Sequence, residues 1–154
     1  MTDSSARLEN IWLASSVIDA EPREAVLERL RLGLELDDLD YEVLDAERSV
    51  VRVGFVLGLL RSSDREPVVE VAGTFRLRYR MAPLLEEGDQ RAFATHRGLA
   101  DAWPVWRTWA ISTLALMGFS PPPLSPVLPD TLLRAGPEEF DLTRTLARTD
   151  PAPG

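Results

Sequence analysis

Apolar residues fall into two periods along this chain. In the first half they recur at every second position, the spacing of a strand with one covered face. Leu30, Leu32, Leu34 and Leu36 alternate with Arg31, Gly33, Glu35 and Asp37. Val51, Val53, Phe55, Leu57 and Leu59 form the strongest such run, and Val69, Val71, Gly73, Phe75, Leu77 and Tyr79 form another. Leu8 to Asp19, with β-formers at its ends, reads as a fourth strand. Asp37-Asp38 weakens the second strand. Asp45–Arg48 and Arg61–Asp64 read as turns, so hairpin pairing follows. Glu21–Leu30 reads as a short helix, opened by proline at its first position.

Past Leu99 the period becomes helical. Leu99, Trp103, Trp106, Ala110, Leu114 and Met117 share one stripe. A proline is tolerated in the first turn of a helix, so Pro104 sets the expected start at Asp101–Trp103. Gly118 is the expected left-handed stop, with Phe119 folding back on the last turn. Residues 81–97 look mixed and polar, with a loop at Glu86-Glu87-Gly88-Asp89. Val105, Trp109 and Ile111 widen the helix's apolar surface beyond what one sheet face covers, which calls for a second packing partner. The proline-rich stretch Ser120–Pro129 excludes regular structure, and Asp130 is placed to cap a second short helix. The expected organisation is one domain over 1–133 and a polar, flexible tail over 134–154. The fold class is α+β: a four-stranded antiparallel sheet, a long helix and a short one, oligomerising through the helices.

Composition narrows function by removal. The chain has 154 residues, no cysteine, one histidine and a net charge of -8. Nucleic acid and anionic membrane surfaces are poor partners for such a charge. No segment reads as a signal peptide or a spanning helix, so a cytoplasmic location is expected. Without cysteine, and with His96 alone, metal, thiol and serine-base chemistry lack their parts. No phosphate loop is present. The acid pairs Asp37-Asp38, Glu86-Glu87 and Glu138-Glu139 read as solvated turns. No cofactor and no enzymatic activity are expected. The row Arg76, Arg78, Arg80 reads as a solvated sheet face paired with local acids. Trp103, Trp106 and Trp109 read as core or, in an open groove, as anchors for apolar segments.

The element order, with Trp103-Pro104-Val105-Trp106-Arg107, Gly118-Phe119, Leu124-Ser125-Pro126-Val127 and Asp130/Leu132, resembles the SecB chaperone family. The helix start is similar to that family's Phe-Pro-Tyr-Ala-Arg, and the loop to its Leu-Ala-Pro-Val. The likeness covers residues 8 to 133 and departs at Val105, Trp106, Thr108 and Leu128-Pro129. It implies an ATP-independent holdase, a tetramer built as a dimer of dimers, with apolar grooves for unfolded polypeptide clients and a role in export. The groove residues it implies are Val53, Phe55, Leu57, Trp103, Trp106, Leu124 and Val127. Docking of the motor SecA would use Asp19, Val68 and Glu70; a further acidic position of that patch is Ser15 here. The alternatives are a dedicated chaperone of a toxin-antitoxin pair, which would hold an antitoxin, and a non-chaperone assembly subunit.

Overall fold

The computed structural model describes residues 6–20, 30–61, 67–119 and 124–129. Four strands of 14 residues come first: β1 (Arg7–Ala20), β2 (Leu30–Val43), β3 (Arg48–Arg61) and β4 (Pro67–Arg80). All pairs are antiparallel, in the order β1-β4-β3-β2. The alternating runs therefore form one sheet, with the two charged-and-apolar strands β3 and β4 at its centre. Helix α1 (Glu87–Phe93) leads through a π-helical turn (Ala94–Gly98) into α2 (Leu99–Leu116). This single helical run lies across one face of the sheet. The α+β class is as expected. The second short helix from Asp130, the tail 134–154, residues 21–29 of the expected early helix and most of the turn after Arg61 lie outside the described residues.

Three expectations are corrected. The Asp37-Asp38 pair does not weaken β2, which runs on to Val43. A bulge between Leu36 and Asp38 absorbs the extra residue and keeps Leu36 and Leu39 on the covered side. Glu86–Asp89 is no free loop: the helix begins at Glu87. Glu87 and Asp89 sit in its first turn, where negative charge suits the positive end of the helix dipole. The helix start near Asp101 is likewise wrong, because Pro104 lies well inside the run. Proline there leaves the Ala100 carbonyl without its amide. Both Ala100 and Pro104 are exposed, so that carbonyl faces solvent and the break is tolerated.

The helix stop is as expected. Gly118 has φ 87°, its amide donates to the Ala115 carbonyl, and the Phe119 amide reaches back to Leu114 at 3.0 Å. Phe119 is buried. Close approach of helix and sheet depends on Gly98, where a Cβ would lie 2.7 Å from Val51 Cγ1.

Candidate client-binding surface

The helix-side face of the sheet is dry and aromatic. Phe55, on the central strand β3, meets Trp103 and Trp106 edge-on at ring distances of 5.5 and 5.2 Å. The two tryptophans stack on each other, one helical turn apart, at 5.8 Å. Buried indoles need partners for their N–H groups. Trp106 Nε1 donates to the Gly73 carbonyl on β4 and Trp103 Nε1 to the Ser125 carbonyl in the loop, both at 3.0 Å. Gly73 is needed twice, since a Cβ there would stand 2.5 Å from the Trp109 ring.

The proline-rich loop is tied to the helix by its own carbonyls. Besides the Trp103–Ser125 bond, Arg107 Nε donates to the Leu124 carbonyl at 2.9 Å. Prolines supply no amides, so the loop must be held through acceptors, and two long donors on α2 provide for this. Leu124 and Leu128 turn inward, while Val127 stands 71% exposed.

Of the seven expected groove residues, the structure thus brings six together in the interior: Val53, Phe55, Leu57, Trp103, Trp106 and Leu124. They are covered in the single chain, and Val127 is the member that offers surface. The sites expected for motor docking divide the same way. Asp19 and Glu70 are register partners on β1 and β4, whereas Val68 is buried. Burial, with Asp19 and then Asp37 nearby, pushes the Glu70 carboxyl above its usual range. His96 is exposed, with Nδ1 2.8 Å from the Ala92 carbonyl, and no metal-binding group of His, Cys, Asp or Glu occurs among the described residues.

On the opposite face the arginine row is paired. Arg76 meets Glu42 at 3.1 Å, Arg80 meets Glu47 at 3.1 Å, and Arg78 meets Glu9 at 3.4 Å. Arg52 pairs with Asp38. At the foot of the sheet Tyr79 donates to Asp101 at 2.8 Å, and Arg97 joins the same carboxylate to the Ala6 carbonyl. Burial and Asp101 push the Tyr79 phenol far above its usual value, so it stays a donor.

Of the exposed apolar residues, only Val105 was expected to add surface beyond what the sheet covers. Trp12, Leu13, Val17 and Ile18 on β1, Leu32 on β2, and Val105 and Leu116 on α2 all present surface, Leu116 at 90%. One signal for the β1 group was available: no charged residue interrupts Ile11–Ile18.

The sheet order, the long helix laid across it and the loop tied to that helix define the SecB-like fold. The chain superposes on the Mycobacterium tuberculosis SecB-like chaperone Rv1957, solved in complex with a ChAD peptide from the HigA1 antitoxin. The TM-score is 0.68 at 16% identity, covering 82% of this chain and 89% of that one. A Streptococcus agalactiae protein of unknown function gives a TM-score of 0.47 at 8% identity, over 78% of this chain and 96% of that one. No family model and no curated protein matches the sequence. Among the described residues no helix is long and apolar enough to cross a membrane.

Proposed function

We propose that this protein is a non-catalytic chaperone that holds an unfolded, aggregation-prone segment, most simply the tail of an antitoxin. The observation that carries the reading is the SecB-like fold, shared over most of both chains with a chaperone solved in complex with a ChAD peptide from an antitoxin. The surface is suited to the task. Leu32, Val127 and Leu116 are open apolar contacts, on a chain whose net charge of -8 keeps it soluble. Each contact is weak, and an extended client sums several of them. Holding needs no nucleotide, and the reading places the protein in the cytoplasm as an oligomer, a dimer or a tetramer.

Export of many precursors, with SecA as partner, is the second reading. The adjacent carboxylates Asp19 and Glu70 favour it, and the burial of Val68 and the serine at position 15 weigh against it. Pull-down of the tagged protein from its own host separates the two. One stoichiometric small protein supports the dedicated chaperone; many unfolded precursors support export. If the purified protein delays the aggregation of no unfolded client at equimolar ratio, both readings fail. Val127→Asp and Leu32→Asp should weaken client holding severalfold while the fold is kept.

A further inference from the structure

Among the described residues no backbone hydrogen bond ties the loop 124–129 to the helix or the sheet. The Val127 amide bonds Ser125 Oγ, within the loop itself. Pro126 and Pro129 have no amide to give. Two side chains of α2 hold the loop instead. Trp103 Nε1 donates to the Ser125 carbonyl at 3.0 Å, and Arg107 Nε donates to the Leu124 carbonyl at 2.9 Å. Leu124 and Leu128 then join the apolar cluster that contains Trp103, Phe55 and Trp106.

These contacts are indifferent to sequence. Every peptide unit has a carbonyl, so two donors one helical turn apart can serve two consecutive carbonyls of any extended chain. Apolar pockets beneath them add a preference for the side chains that fill them. That is the chemistry of a peptide site, and the chain's own loop occupies it. Consecutive carbonyls sit on the two donors, and two leucines four residues apart turn inward. The neighbouring indole is fixed differently. Trp106 Nε1 donates into the sheet, to Gly73 on β4, so only the parting of helix and sheet releases it. Releasing the Trp103 indole takes no more than the departure of the loop.

We propose that the loop 124–129 is an internal stand-in for a client, and that an extended client segment displaces it to take the carbonyl bonds of Trp103 and Arg107. The burial of Trp103 and Phe55 in the single chain is then the covered state of the site. The site accepts apolar segments that contain proline, since it asks for acceptors and not for amides. Val127, 71% exposed on this loop, is where a client makes first contact. A seated loop lowers the apparent affinity of every client, because only the open fraction binds. The purpose of the opening rests on the client reading; the opening itself is measurable without a client.

The test is the exchange of the indole protons with solvent, read by nuclear magnetic resonance on the full chain with isotope-labelled tryptophan. Local opening exchanges only the protons it uncovers, so Trp103 should exchange many times faster than Trp106. Leu128→Ser removes an apolar anchor of the loop and no donor, and should speed Trp103 alone. The same variant should bind a permanently unfolded probe, reduced and carboxymethylated α-lactalbumin, severalfold more tightly than wild type. The bound probe should shift the Trp103 indole resonance and leave that of Trp106 in place. Arg107→Met also loosens the loop but gives up a client donor, so it should bind the probe less tightly than Leu128→Ser. Equal exchange of the two indoles, in wild type and in Leu128→Ser, overturns the stand-in and leaves the chaperone reading standing. So does a Leu128→Ser variant that binds the probe no better than wild type, or an Arg107→Met variant that binds it as well as Leu128→Ser. A probe held by no form of the protein overturns the client reading and the stand-in with it.

Discussion

The two faces of the same four strands are held by different physics. Toward the helix, side chains interlock: Phe55, Trp103, Trp106 and Tyr79 are all essentially without solvent contact, and their few polar atoms are paired. Away from it, the sheet is roofed by charge. Val50 and Val56 are as buried as core residues, yet their register neighbours are Glu42 and Arg78 in one case and Glu35 and Ala72 in the other. Long charged side chains cover apolar surface with their stems and keep their heads in water. Interlocked packing tolerates no change of shape, while a roof of mobile ion pairs does. The covering of Arg76 Nε without an acceptor among the described residues fits the looser specification of that side.

The contrast fixes the order of mutational damage. Trp106→Ala should be the worst. It empties a fully buried site against Phe55 and Trp103 and removes the indole donor to the Gly73 carbonyl, a loss of about 3–5 kcal/mol. That is a large share of the stability of an ordinary domain, so the urea midpoint should fall steeply or the chain should fail to fold. Gly73→Val comes next. Its new side chain would stand where the Trp109 ring lies, and the ring must move, at about 1–3 kcal/mol. A change in tryptophan fluorescence would report the displacement. On the outer face Arg78→Ala should cost less than about 1 kcal/mol, and molar salt should shrink the difference further. A loss at Arg78 as large as that at Trp106 would break the comparison and show that the charged face carries the fold.

The sequence showed the strands because period two survives wherever one face is covered, as from Val51 to Leu59 and from Val69 to Tyr79. It showed the helix stop because Gly118 and Phe119 are a local device. It hid the helix start. Glu86-Glu87-Gly88-Asp89 has the composition of a turn, and Pro104 looks like a first-turn residue unless its neighbour Ala100 is known to face solvent. The candidate site was legible as a set and not as a surface. Alternation and helical spacing identify residues that turn inward together, such as Phe55 and Trp106. Whether the inward side is a groove or a closed core depends on how near the helix lies, which Gly73 and Gly98 decide through contacts far apart in sequence. Exposure on β1 was less legible for a related reason: the consecutive apolar residues Ile11–Leu13 and Val17–Ile18 suit a strand covered on both faces as well as an edge.

The smallest expected effect lies on the outer face at Glu70, whose register neighbours include an acid and no arginine. Glu70 has Asp19 beside it on β1, Gly58 on β3 and Asp37 within reach on β2. Burial and these two acids raise its pKa, so the folded chain holds this proton more tightly than the unfolded chain does. The sign follows from linkage: stability contributed by Glu70 is greatest at low pH and is lost as pH rises from the ordinary glutamate range through the raised value. Glu70→Gln removes that loss. The variant should therefore melt slightly above the wild type at neutral pH, and the gap should close on acidification through that window. Asp37, raised by burial and by Asp38, remains in the variant and leaves a residual slope of the same sign. Melting curves of both proteins across the acid range decide the matter. A variant less stable than wild type at neutral pH would mean that the Glu70 carboxylate is used as an acceptor, and the outer face would then be more closely built than its ion pairs suggest.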